Sequence, residues 1–179
     1  MIRTIAVYGL ISGLVIILGI IATTVSSGGD APHSSVWLGY LIMLVALSSI
    51  LVGVRQHRDQ VLGGVITFRT AALLGLGIAL VASIVYVLVW EVYLAITHYA
   101  FMDRYVAQVL AAKRAAGITG EAYRKAAVEL ESMRVAYQNP LNRLPMTFAE
   151  IFPVGLLVAL VSAALLRNPR FLPARVRPT

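Results

Sequence analysis

The chain has 179 residues, 59% of them hydrophobic and 13% charged, with a mean hydropathy of +0.84 and a formal net charge of +7. Soluble domains carry nearer a quarter of charged residues, so the composition points to an integral membrane protein and excludes a nucleic-acid-binding domain. Cysteine is absent, which excludes disulfides, thiol catalysis and cysteine-ligated metals.

Four stretches are long enough to cross a bilayer core of about 30 Å, which takes about 20 helical residues. The first is TIAVYGLISGLVIILGIIATTV, 4–25. Its apolar core is too long for the usual core of a signal peptide and no small-x-small cleavage site follows, so a retained span is expected. The second is VWLGYLIMLVALSSILVGV, 36–54. A short basic loop follows, with Arg55, Arg58 and Arg69 as anchors at the membrane edge. Within that loop Gly63-Gly64 is expected to let the chain bend, with Phe68 marking the entry to the next helix. The third span is TAALLGLGIALVASIVYVLVW, 70–90.

No Gly or Pro occurs from residue 78 until Gly117, so the third helix is expected to continue beyond the membrane. Val92, Ile96, Tyr99, Met102, Tyr105, Val106, Val109 and Leu110 keep a helical stripe, which AAGITG at 115–120 interrupts. A second stripe, Tyr123, Ala127, Leu130, Met133 and Tyr137, runs to Asn139-Pro140. The pattern predicts an outer helical hairpin over about 91–138. Pro145 is then expected to precede the fourth span, MTFAEIFPVGLLVALVSAALL, 146–166, and a basic tail, 167–179, closes the chain.

Charge orients these segments. Arg3, Arg55, Arg58, Arg69, Arg167, Arg170, Arg175 and Arg177 face a single acid, Asp59, on the side holding both termini. The other side balances Arg104, Lys113, Arg114, Arg124, Lys125, Arg134 and Arg143 against Asp30, Glu91, Asp103, Glu121, Glu129, Glu131 and Glu150. Lys and Arg in short loops mark the cytoplasmic side, so both termini are expected there. The tail can also attract anionic lipid.

Helices in lipid associate through small residues that allow close approach. Such ladders occur at Gly9 and Gly13, at Ala71, Gly75, Ala79 and Ser83, and at Gly155, Ala159 and Ala163. They predict a tight bundle but not whether the ladders meet within one chain or between chains. Ser12, Ser48, Ser49 and Ser83 are read as helix–helix hydrogen-bonding residues.

Candidates for chemistry are few. No charged residue or His falls near the middle of any span, which argues against a proton-coupled transporter working through its own core. Glu91, His98 (on the same helix face if the helix continues) and Glu150 are weak candidates for a divalent metal or a proton-transfer set. Asp30 and His33 lie in the short outer loop. The simpler reading pairs Glu91 and Glu150 with Arg104 or Arg143, or uses Glu150 to favour a helix N-terminus. No nucleophile with a base, phosphate loop or dinucleotide fingerprint appears.

The runs GGVITFRTAALLGLGIALVASIVYVLVW and TFAEIFPVGLLVALVSAALLRN, with a polar helical segment between them, resemble the bacterial membrane proteins grouped as domain of unknown function 4199. The resemblance covers most of 1–167 and is most specific at Gly63, Gly64 and Phe68. It implies a small four-span protein of a bacterial cell membrane, and it implies no activity.

The expected molecule is an all-α integral membrane protein, with residues 1–179 forming a single membrane domain. It has four transmembrane helices and an extracytoplasmic helical hairpin between the third and fourth. It is expected to lie in the bacterial inner membrane, to need no cofactor and to be no enzyme. Its partners are the lipid bilayer and either a homo-oligomer or an envelope protein. The alternative is a subunit of a small transporter or channel whose path forms only in an oligomer.

Overall fold

In a computed structural model, residues 1–26 and 35–173 are described, and among these the only regular secondary structure is α-helix. Asp30, His33, Arg175 and Arg177 therefore lie outside the described residues. The helices are α1 (Ile2–Ser26), α2 (Ser35–Leu47), α3 (Ser49–Val61), α4 (Phe68–Ile96), α5 (Phe101–Ala115), α6 (Gly120–Gln138) and α7 (Pro140–Leu166). Four segments are long and apolar enough to cross a membrane: Ile2–Thr23, Trp37–Val61, Phe68–Ile96 and Pro140–Leu166.

The second of these joins α2 and α3 across Ser48. The backbone ladder continues through the joint, Ser48 N–H donating to Leu44 O at 2.9 Å. The Ser48 hydroxyl donates to Val45 O at 2.6 Å, a back-bond of the kind that bends helices. The helix runs on to Val61, well past the expected end at 54. It can hold Arg58 because the guanidinium is fully satisfied while fully buried. Its Nε donates to Asp59 at 2.6 Å, and its Nη1 donates to Phe171 O at 3.0 Å. Its Nη2 donates to Leu172 O. Arg58 thus clasps the start of the tail instead of meeting solvent or lipid headgroups, whereas Arg69, Arg167 and Arg170 are exposed.

α3 ends in a turn at Gly63 (φ 67) and Gly64 (φ 93), the left-handed region where a side chain is disfavoured. Gly64 N–H reaches back to Arg58 O at 2.9 Å. Ile66 is buried and Thr67 caps α4, its hydroxyl accepting from Thr70 N–H at 3.3 Å. Phe68 is the first residue of α4 and is partly exposed.

α4 is the centre of the bundle, packed along α1 on one side and α7 on the other. The α4 and α7 ladders meet each other here, and the α1 ladder packs on α4, all within one chain. A Cβ on Gly13 would sit 2.7 Å from Ala82 O, and one on Gly9 2.6 Å from Val81. A Cβ on Gly75 would sit 2.9 Å from Ala159 Cβ, and one on Gly155 2.8 Å from Ala79 Cβ. Around these contacts Ile16, Ile17, Leu47, Ile50, Leu74 and Ile78 are completely buried. Ser12 bridges helices, touching the Ser49 hydroxyl while donating to Tyr8 O at 2.6 Å. Ser83 instead donates within α4, to Ala79 O at 2.8 Å.

Two expectations at the opposite end of the bundle are corrected. First, α4 does not run on into the hairpin. It stops at Ile96, and His98 (φ 53) and Tyr99 (φ 55) turn the chain. Two successive non-glycine residues in this region cost about 1–2 kcal/mol each. Tertiary contacts offset the cost: Phe101 packs edge-on against Trp90 with centroids 5.0 Å apart, and Tyr99 lies against Arg143. Second, Pro145 lies inside α7, not before it. The helix starts at Pro140, with Asn139 accepting from Leu141 N–H at 3.0 Å. Pro140 suits the first turn, whereas Pro145, in the second, gives up the N–H that would bond Leu141 O, and packing of α7 on α4 holds the helix around it.

α5 and α6 form the hairpin. α5 closes with Gly117 N–H on Arg114 O at 2.9 Å and Ile118 N–H on Lys113 O at 3.0 Å, the paired bonds of a Schellman motif about Gly117 (φ 78). α6 buries none of its residues, but it packs against both α5 and α7.

Candidate functional site

The residues that carry charge and hydrogen-bonding capacity converge where α4 ends and α7 begins. α4 and α7 are antiparallel in one register: Gly75 meets Ala159, Ala79 meets Gly155, and twelve residues further along each helix Glu91 meets Arg143. The pair is bidentate, with Arg143 Nε and Nη2 each donating to a Glu91 carboxylate oxygen at 2.7 Å. Arg143 Nη1 donates to Tyr137 O at 3.0 Å and Gln138 O at 3.3 Å. The guanidinium carbon lies 5.0 Å from the centre of the Tyr99 ring and 5.7 Å from that of Tyr137. Arg143 is the element that ties α4, α6, α7 and the 97–100 turn together.

Aromatic rings extend this node. Trp90 stacks on Tyr93 at 5.2 Å and donates its indole N–H to Tyr137 Oη at 2.9 Å. Burial raises the Tyr137 phenol above its ordinary value, partly opposed by the Trp90 and Thr147 hydrogen bonds. Farther along the hairpin Arg134 bridges its two arms, donating to Asp103 at 3.0 Å and Glu131 at 2.7 Å. The Arg134 hydrogen bond holds the Glu131 carboxyl below the usual range, and the same bonds raise the guanidinium. A cavity of about 280 Å³ lies between these groups, with His98, Tyr99, Asp103, Arg134 and Arg143 on its walls.

The structure separates the three weak metal or proton-transfer candidates. Glu91 is committed to Arg143. His98 lies beyond the end of α4 in the left-handed turn and so is not on the Glu91 face. Glu150 lies ten residues after Pro140, so it does not sit at the helix N-terminus that would favour its charge. Among the described residues no three His, Asp or Glu side chains gather to hold a metal ion. Glu150 is exposed, and its carboxylate has no hydrogen bond or ion pair in the described structure. Sequence reasoning named Arg143 as one of two partners for Glu91, but it missed the two rings around it and the Arg58 clasp. Their signal is tertiary: both arginines gain donors' partners from segments distant in sequence.

No curated protein and no solved structure matches this chain. A family model does match over residues 7–168, nearly the full length, and its register includes both halves of the Glu91–Arg143 node. The chain therefore belongs to the family described as "Protein of unknown function (DUF4199)".

Proposed function

We propose that this is a multi-pass protein of a bacterial inner membrane, with both termini cytoplasmic and the α5–α6 hairpin outside, that acts by association with another membrane segment and not by chemistry of its own. The orientation rests on arginine placement: the N-terminus, the segment from Arg55 to Arg69 and the tail carry the whole positive excess. The small-residue ladders are occupied within the chain, so association has to use another face.

One observation carries the reading: the unpartnered carboxylate of Glu150 on a helix suited to the membrane. Setting a 30 Å core against the Leu166 end of α7 takes about 20 residues and puts Glu150 roughly 5 Å inside it. There it heads an outward ridge continued by Leu157 and Val161, both exposed. Pro153, on the same face, has no N–H to give the Ala149 carbonyl. The ridge therefore presents acceptors without donors. Ionisable groups at such depth mark functional positions and call for a partner.

A channel reading finds less support. The bundle centre is closed by fully buried aliphatic side chains, and the outward faces of α4 and α7 carry Leu73, Leu80, Leu88, Leu157 and Leu160, which would make an apolar lining.

The test is a photo-crosslinking residue at Leu157, activated in native membranes. Capture of a membrane protein at this position, and its loss when the probe is moved to a lipid-facing site on α2 such as Val45, is the expected result. Correctly inserted protein that captures nothing would refute association through this face.

A further inference from the structure

We infer that the partner of the Glu150 face is a second copy of this chain, joined by Arg104 of each protomer to Glu150 of the other. This rests on the association reading and adds the partner's identity.

Charge is left over at this end of the bundle once its ion pairs have formed. At this end of the bundle Glu91 takes Arg143, and Arg134 takes Asp103 and Glu131. Arg114 lies over the Tyr123 ring at 4.8 Å. Arg104 is exposed, and its side chain has no hydrogen bond, ion pair or ring contact in the described structure. It is also the unpaired cation nearest the membrane. It stands in the first turn of α5, whose Phe101 reaches back to Trp90 with centroids 5.0 Å apart. Lys113, Arg124 and Lys125 lie farther along the hairpin.

The depths are compatible. The α4–α7 register that pairs Glu91 with Arg143 puts Trp90 about six residues, or roughly 9 Å, above the level of Glu150. A long arginine stem can run along apolar surface while its guanidinium reaches the carboxylate. The two groups do not meet within one chain. A two-fold axis makes the patch self-complementary: each copy contributes one Arg104 and one Glu150, and both unpaired charges are satisfied twice. The guanidinium supplies the donors that the Glu150 carboxylate and the Ala149 carbonyl lack.

The chain has no cysteine, so Leu157→Cys introduces the sole thiol, on the Glu150 face. Oxidative crosslinking in membranes is expected to give a disulfide-linked dimer. E150R or R104E, each in that background, is expected to lower the crosslinked fraction about tenfold or more, as removing one partner of a close interfacial charge pair does. The double variant E150R/R104E is expected to restore it, which a misfolded single variant could not explain. Absence of the dimer in the Leu157→Cys protein overturns the inference, as does failure of the double variant to restore it. Capture of a different protein by the photo-probe, without self-crosslinking, also overturns it while leaving the association reading intact.

Discussion

Removing either member of the Glu91–Arg143 pair should be the most damaging single change outside the helix seams. Arg143 is 3% exposed, and the Glu91 side chain 23%. Deleting one partner of a buried pair costs about 3–5 kcal/mol, because it strands the other charge. The residual exposure of Glu91 puts the expected loss for E91A or R143M near the lower limit, about 3 kcal/mol. For a chain of this size 1 kcal/mol shifts Tm by about 2–4 °C, so each variant should unfold about 6–12 °C lower in detergent. The double variant E91L/R143M removes both charges and fills the same space. It should recover most of the loss, short by about 1–2 kcal/mol for the Tyr137 and Gln138 carbonyls that lose Arg143 Nη1. Thermal unfolding of the four proteins, run as a double-mutant cycle, is the assay. Singles within about 1 kcal/mol of the parent, or a double variant whose loss equals the sum of the singles, would refute the account of this node as a buried, coupled pair.

Three other outcomes are expected. G155V should destabilise by about 1–3 kcal/mol because its Cβ would fall 2.8 Å from Ala79 Cβ, whereas G39A, with nothing within 4 Å of its Cβ, should be neutral or stabilising; melting curves separate the two. R58M should release Phe171 and Leu172, read as faster protease cleavage after Asn168, and equal cleavage rates would count against the clasp. The Glu131 carboxyl is held below its ordinary value, so its bond to Arg134 helps the hairpin fully above about pH 4.5 and is lost as pH falls through the lowered value. Amide exchange in α6 should rise in that acid window, more steeply in the parent than in E131Q.

The helices themselves were legible, because apolar runs of spanning length admit only one backbone solution in lipid. Their ends were less so, and each miss has a physical cause. Arg55 and Arg58 looked like the close of the second span, yet Arg58 stays in the helix because the distant carbonyls of Phe171 and Leu172 receive it. The turn at His98 and Tyr99 carries no glycine or proline. Its stability lies in the Trp90–Phe101 and Tyr99–Arg143 contacts, which no local pattern encodes. Pro145 looked like a boundary mark, but it sits in α7 where packing on α4 holds the helix. For the candidate site, the Glu91–Arg143 pairing was one of two readings open in the sequence. Only the shared α4–α7 register decides between Arg104 and Arg143.

That register also decides what the molecule has left for partners. Glycine ladders in a membrane sequence are commonly taken as surfaces for association, and three of them in four spans invite that conclusion. Here each ladder is occupied within the chain: Gly9 and Gly13 seat α1 on Val81, Ala82 and Val85 of α4, and Gly155 and Ala159 interlock with Gly75 and Ala79. A surface packed so closely that it has no room even for an added Cβ cannot also receive a neighbour. The same register that brings Arg143 to Glu91 denies it to Glu150, seven residues or about two turns farther along α7, and leaves Arg104 unpaired in α5. Dense internal packing and an unsatisfied outward carboxylate are thus two results of one helix alignment. A one-residue slip of α7 would lose both the Gly155–Ala79 contact and the Arg143 fork, so the charge that remains outside is fixed as firmly as the core.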